Sequence, residues 1–373
     1  MSENRDYYKN LSIRKLKEKV REIKSSLPNK SQNIITFSKN FTLSLSNYCQ
    51  NECRYCFYNY KIPKLDGKGN VILLGNKQIN TLIQKAIKSN CKEALLMSGE
   101  RPDSFIEVRR ELKERKYDDY IQFIIDICSY LLDFKLLPHT NIGVLNFEEL
   151  DKLKNLNASM GLMLESTSLE LFKKGRVHEF SPGKLPEKRI GHIENAGKLK
   201  IPFTTGLLLG IGENFEDRIR DLNLIKEIYE EYGHIQEVII QNFVGKEGIQ
   251  YHPENPISIE ETLKIAGIAK LIFGNEIAIQ VPPNLIRGYE KEAIELGVND
   301  FGGISPFTID FINPDHLWPQ INNLKTICRN LGYKLKERFP IYEKYIQKSE
   351  FCPVNIKKII DNINLNGTDL YSN

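Results

Sequence analysis

Phe41-Thr-Leu-Ser-Leu-Ser46 runs almost directly into Cys49-Gln-Asn-Glu-Cys53-Arg-Tyr-Cys56. The first stretch reads as a short strand. The second gathers three of the seven cysteines, while Cys91, Cys128, Cys328 and Cys352 are scattered. Working outward, similar apolar runs recur at Ala94–Ser98, Leu136–Val144, Ser159–Glu165, Phe203–Leu209, Val238–Phe243, Ile277–Val281 and, more faintly, Phe301–Ser305. Helical patterns separate most of them, at Lys77–Lys88, Tyr120–Leu132, Phe147–Asn155, Phe215–Tyr232 and Ile259–Phe273. Strands alternating with helices imply parallel βαβ units. The expected fold class is α/β, a (β/α) barrel between a partial six-stranded and a complete TIM-like form. Residues 1–34, whose Leu11–Ser26 stretch is amphipathic, read as an N-terminal helical extension. Residues 35–318 read as the barrel and 319–373 as a C-terminal helical cap.

In such a barrel the chemistry sits at the C-terminal ends of the strands. The cysteine loop follows the first strand, and Ser98-Gly99-Glu100 follows the second. His139-Thr140-Asn141 lies late in the third, and Glu165 ends the fourth. Gly210-Ile211-Gly212-Glu213, Gln241-Asn242 and Pro282-Pro283-Asn284 close the next three. The unusual polar and glycine-rich residues thus fall on one rim.

The C-x3-C-x2-C spacing lets one loop bind three corners of a cubane cluster through the thiolates of Cys49, Cys53 and Cys56. Electron-transfer clusters commonly take four cysteines. With three, one iron is open to chelate the amino and carboxylate groups of a small molecule. Such a [4Fe–4S] cluster can pass an electron to the sulfonium of S-adenosylmethionine. Homolysis then yields a 5′-deoxyadenosyl radical, which abstracts hydrogen from unactivated C–H bonds. A structural zinc site would want four protein ligands, and no His lies near the loop. Chance clustering of packing thiols is the remaining alternative. Tyr55 and Phe57, beside the last cysteine, read equally as adenine or cluster neighbours and as core packing.

Composition bounds the remaining classes. Lys and Arg number 52 against 48 Asp and Glu, a net +4, too balanced for a nucleic-acid footprint. Hydrophobic residues at 41% supply a full core. No run approaches the roughly 18 apolar residues of a membrane span, and the first thirty residues lack a signal-peptide core. A cytoplasmic protein with reduced cysteines is expected.

Several residues are candidates for the cofactor. The Ser98-Gly99-Glu100 turn offers backbone carbonyls to the methionine ammonium. Glu165, at the end of an apolar strand, needs partners if buried; ribose hydroxyls would serve, and a salt bridge across the barrel is the competing reading. Arg189 is a candidate for the cofactor carboxylate. The glycines around Gly210 suit a backbone that approaches a flat adenine. They do not form the dinucleotide fingerprint, whose glycine order is absent. The histidines show no metal-ligand spacing. On the substrate side stand Gln241-Asn242, Asn284 and Asn299-Asp300, whose amides and carboxylate could satisfy a polar ring and side chain. A turn is the plainer reading of Asn299 and Asp300. No residue is assigned as a catalytic acid or base.

Taken together the chain resembles the radical SAM 7,8-didemethyl-8-hydroxy-5-deazariboflavin synthases in their stand-alone archaeal form, from about Ile35 to Trp318. The resemblance rests on Thr36-Phe-Ser-Lys-Asn40, Ser98-Gly-Glu-Arg-Pro102, Leu137-Pro-His-Thr-Asn141 and Gly161-Leu-Met-Leu-Glu165-Ser-Thr. It extends through His178-Glu-Phe-Ser-Pro-Gly-Lys184 with Arg189, Gln241-Asn-Phe243, Gln280-Val-Pro-Pro-Asn-Leu285 and Asn299-Asp-Phe-Gly-Gly-Ile-Ser-Pro306. Arg54 and the stretch Val244–Ile249 depart from the family pattern. The resemblance implies a radical SAM barrel and a lyase step in making the deazaflavin chromophore of coenzyme F(420). A partner radical SAM enzyme would join tyrosine to 5-amino-6-(D-ribitylamino)uracil. This enzyme would abstract hydrogen from that adduct, cyclise it and release ammonia, with an electron donor supplying the cluster. Two other classes compete: a radical SAM enzyme of the biotin synthase or hydrogenase maturase type, and an iron–sulfur electron carrier. The scattered cysteines offer no evident second cluster, and carriers are usually small and fully ligated.

Overall fold

A computed structural model describes residues 2–26, 33–62 and 70–365. Parts of the expected terminal units, Met1, 27–32 and 366–373, lie outside the described residues. Eight parallel strands follow one another around a barrel: β1 (Ile34–Ser46), β2 (Glu93–Ser98), β3 (Leu137–Asn141), β4 (Ser159–Gly161), β5 (Phe203–Leu209), β6 (Ile235–Asn242), β7 (Ala278–Gln280) and β8 (Asp300–Ile304). Strand β1 pairs with β8 on one edge and β2 on the other, so the sheet closes. Of the two expected forms, the complete barrel is the one present.

The outer layer is built by α1 (Ser2–Asn10), α2 (Ile13–Ser25), α3 (Asn76–Lys88), α4 (Ile106–Glu114), α5 (Tyr120–Asp133), α6 (Phe147–Lys154), α7 (Pro186–Lys198), α8 (Phe215–Tyr232), α9 (Ile259–Phe273) and α10 (Glu290–Glu295). Their apolar faces bury Leu43, Leu96, Ile124, Phe203 and Ile240 in one continuous core. Local chemistry fixes where they start. Asn146 caps α6 by accepting from Glu149 N–H at 2.9 Å, and the Glu149 carboxylate accepts from Asn146 N–H at 2.8 Å, a reciprocal cap that satisfies two orphan donors. Among the described residues no helix is long and apolar enough to cross a membrane.

Two differences from the sequence expectation have physical causes. Strand β1 begins at Ile34, well before the apolar run at Phe41, because Thr36, Ser38 and Asn40 break up its hydrophobic signal. Strand β4 ends at Gly161, and Glu165 meets β5 only through an isolated bridge to Leu207. Its φ of +64° is a left-handed conformation that a strand cannot continue through.

The C-terminal unit adds more than helices. After α11 (Ile321–Asn330) comes β9 (Lys334–Arg338), which pairs with β1 over Ile34–Ser38. The chain then crosses the N-terminal ends of the strands before α12 (Glu343–Ile346) and α13 (Val354–Leu365). Phe339, Ile341, Tyr345 and Ile356 pack there with Leu137 and Ala158 as a separate buried cluster. The Pro340 carbonyl accepts from Ser159 Oγ at 2.6 Å and Gln236 Nε2 at 2.9 Å. The barrel therefore has a closed floor, leaving the cysteine side as its mouth.

Candidate active site

The cysteine loop leaves β1 and is fastened by its backbone. Gln50 N–H donates to Glu100 O, Glu52 N–H to Phe180 O and Arg54 N–H to Val177 O, all within 2.9–3.1 Å. The carbonyl of Arg54 accepts from the N–H groups of Gln250 and Tyr251. Gly99 must be glycine, since a Cβ there would stand 2.0 Å from Tyr48 O. All three thiols are free. Burial first, then Cys53 and Cys56, push the Cys49 thiol up to about 12; burial likewise pushes Cys53 up to about 11. Two sulfurs already receive hydrogen bonds. Glu100 N–H donates to Cys49 Sγ at 3.2 Å, and Ser181 Oγ–H to Cys53 Sγ at 3.3 Å. Among the described residues no three His, Cys, Asp or Glu side chains gather as ligands of one ion. A cubane asks each thiolate to reach a different iron. Three free thiols in one loop, with donors to the sulfurs and positive charge nearby, fit that group.

That positive charge belongs to a buried network. Glu165 Oε1 lies 2.5 Å from Lys184 Nζ and 3.4 Å from Arg189 Nη2. Its Oε2 accepts from Tyr55 Oη at 2.5 Å, and the same hydroxyl is 2.9 Å from His178 Nε2. Burial opposes charge on Glu165, but Lys184 and Arg189 outweigh it and hold the carboxyl well below its usual range. Arg189 also reaches Glu100 Oε2 at 3.7 Å and donates to Met163 O at 2.8 Å. Two acids and two bases so balance one another. The loop carrying Glu165 is held from behind by buried Asp221, which accepts from Ser166 Oγ at 2.9 Å and Thr167 N–H at 3.0 Å.

Cys49, Cys53, Cys56, Tyr55, Ser98, Gly99, Glu100, Glu165, Arg189 and Asn242 all line one cavity of about 390 Å³. Four candidates do not, and each has a reason. A Cβ on Gly210 would meet Ile257 Cγ2 at 2.6 Å, so its φ of +86° and tight packing explain the glycine without an adenine. Asn284 sits behind the wall, donating to Asp310 Oδ2 at 2.9 Å and His316 O at 3.2 Å. Asn299 and Asp300 lie at the start of β8, hence near the floor and not on the rim where they were expected. Asn299 Oδ1 accepts from Ile279 N–H at 2.8 Å. Asp300 is fully buried against Arg338, whose Nε is 2.6 Å away.

The structure also brings in residues that the sequence did not single out: Lys184, Lys246, Asp310 and Trp318 at the mouth, and Glu93, Glu237, Gln280 and Arg338 deeper down. Lys184 and Gln280 lay inside quoted motifs, and Lys246 inside the departing stretch Val244–Ile249. Asp310 and Trp318 belong to no apolar period, and nothing in their spacing marks them. Burial lowers the Lys246 amine, against the pull of Asp310.

A model of the radical SAM superfamily matches residues 43–225. A curated relative from Methanocaldococcus jannaschii, named 7,8-didemethyl-8-hydroxy-5-deazariboflavin synthase, is 45% identical over 328 residues, 88% of this chain and 89% of that protein. One of the same name from Methanococcus maripaludis is 44% identical over 361 residues, 95% and 97% of the two chains. Among solved structures, methylornithine synthase superposes with a TM-score of 0.69 at 18% identity, over 90% of this chain and 94% of that one. A maturase of the [FeFe]-hydrogenase gives 0.70 at 15%, over 88% and 71%. These last two bear on the fold alone.

Proposed function

Since this chain belongs to the 7,8-didemethyl-8-hydroxy-5-deazariboflavin synthase family and carries the radical SAM match, we propose that it is a radical SAM lyase. It converts the adduct of tyrosine and 5-amino-6-(D-ribitylamino)uracil into the deazaflavin chromophore of coenzyme F(420), with loss of ammonia. Cys49, Cys53 and Cys56 would hold the [4Fe–4S] cluster. Bound there with S-adenosylmethionine, it supplies the radical that takes hydrogen from the substrate. Lys184 and Arg189 keep Glu165 ionised, so it can accept from ribose hydroxyls. The Ser98-Gly99-Glu100 turn, with Glu100 facing Arg189, provides the polar ground for the methionine end. The closed floor and buried walls keep bulk water away from a reactive radical. Asn242 meets the substrate, because its Oδ1 is buried without a partner on the cavity wall, and such an acceptor is costly unless a ligand donates to it.

The observation that carries this reading is one cavity that joins the three thiols to Asn242. A partner radical SAM enzyme would deliver the adduct, and a reduced carrier the electron. The test is incubation of anaerobically reconstituted, reduced enzyme with the synthetic adduct and S-adenosylmethionine. Growth of deazaflavin fluorescence that depends on both supports the proposal. Unchanged adduct in an enzyme that still cleaves S-adenosylmethionine contradicts it.

A further inference from the structure

The cavity continues below the reaction zone. Barrel interiors are usually filled by bulky apolar layers. Here β1 turns Asn40 inward, β2 Glu93, β3 His139, β5 Thr204, β6 Glu237 and β7 Gln280, and all six line the same cavity as the cysteines. Most of what they present is hydrogen-bond acceptors. Asn40 Nδ2 leans on Glu93 Oε1 at 3.4 Å, which leaves Asn40 Oδ1 buried with no partner. Ser159 donates its one hydroxyl proton to Pro340 O at 2.6 Å, so its oxygen must accept from His139 Nδ1–H at 2.7 Å. Burial favours neutral His139; its other ring nitrogen, Nε2, then carries a lone pair. Glu93 has no cation within salt-bridge distance among the described residues, unlike Glu237, which pairs with Arg338 at 2.5 Å. The upper walls differ, with Leu208, Phe243, Ile309 and Trp318 facing the mouth. From Glu93 to Ser98, β2 climbs roughly 16 Å. The cavity is therefore long, with the charged network and apolar side chains sharing its upper wall and acceptors toward the floor.

We infer that this lower shaft binds the ribityl chain of the substrate, with the flat ring system above it beside the cysteine loop. The inference rests on the function proposed above. A polyol supplies one donor per hydroxyl, which an acceptor-lined shaft lacks, and the rings match the apolar upper walls. The shaft then sets both the depth and the rotation of the ring carbon that reacts.

The test is equilibrium binding to the reconstituted holoenzyme, read by fluorescence, of two ligands: the deazariboflavin chromophore itself, and its analogue with an unsubstituted pentyl chain on the same nitrogen. Wild type should bind the polyol at least roughly tenfold more tightly, since buried acceptors left unpaired penalise the pentyl form. Glu93→Gln should weaken the polyol roughly tenfold and the pentyl analogue by less than about twofold, which abolishes the preference. Iron content and thermal melting check that the variant folds, and the wild-type comparison stands without it. Equal affinity of wild type for both ligands, or equal weakening of both by Glu93→Gln, would overturn the assignment and leave the shaft to water. A wild type that binds S-adenosylmethionine but neither chromophore would instead sink the proposed function, and this inference with it.

Discussion

Glu165 shows how backbone and neighbours set the charge of a single residue. Its left-handed backbone lies four residues past the end of β4, and its carboxylate meets Lys184 and Arg189. It forms ion pairs with Lys184 and Arg189 on the segment that follows it, and it also lines the cavity. Glu165→Gln should keep the cluster, assayed as iron content, yet weaken S-adenosylmethionine binding roughly tenfold, because bonds to an ionised acceptor are the strong ones; calorimetric affinity equal to wild type would remove Glu165 from the cofactor site. Ser181 poses a finer question. Its hydroxyl donates to Cys53 Sγ, and hydrogen bonds to ligand sulfur raise the potential of a cluster. Ser181→Ala should make reduction harder by some tens of millivolts, of the order of one lost hydrogen bond, as read by potentiometric EPR titration. An unchanged midpoint would mean that the contact does not act on the cluster. The cysteines were legible because three thiols in one loop have few other uses. Lys184 was not, because an exposed lysine and one buried against a glutamate look alike in sequence.

At the scale of elements, most of the barrel was readable where apolar runs alternate with helices. Strand β9 was hidden, because Lys334-Leu-Lys-Glu-Arg338 is charged on both sides of its one buried leucine, and it pairs with the N-terminal end of β1. Helix α7 was missed because Arg189 and His192 sit on its buried face, along with Gly197. His192 ties this helix to the stretch before α6, accepting from Leu145 N–H at 2.8 Å through Nδ1. Burial first, and Arg189 next, push it down to about 3. The unfolded chain takes up this proton near pH 6.5 while the folded chain refuses it until about 3. Stability is therefore lost as pH falls below 6.5, at up to about 1.4 kcal/mol per pH unit from this residue. Urea midpoints measured from pH 7 to pH 5 should fall accordingly, and His192→Asn should flatten that slope. A variant with the wild-type slope would assign the acid sensitivity elsewhere.

For the whole molecule, the C-terminal unit makes a barrel into a vessel. Arg338 reaches up from β9 to Asp300 and Glu237, and Tyr342 Oη donates to Glu237 Oε2 at 2.7 Å. The motif Asn299-Asp-Phe-Gly-Gly was placed on the rim although its polar residues begin β8 rather than end it; a turn and a buried floor use the same residue types. Removing one partner from a buried ion pair strands the others. Arg338→Met should cost about 3–5 kcal/mol in urea denaturation, whereas Arg338→Met with Asp300→Asn should recover part of that loss. A single variant as stable as wild type would show that the floor does not depend on this pair. What the vessel is for can be asked in one reaction. Reduced holoenzyme, the tyrosine–uracil adduct and S-adenosylmethionine are incubated together, and 5′-deoxyadenosine and deazaflavin are quantified by chromatography. The expected result is that both products rise together in wild type and both are lost in Cys53→Ala. Wild-type 5′-deoxyadenosine with no deazaflavin, or deazaflavin from Cys53→Ala at the wild-type rate, would contradict the account.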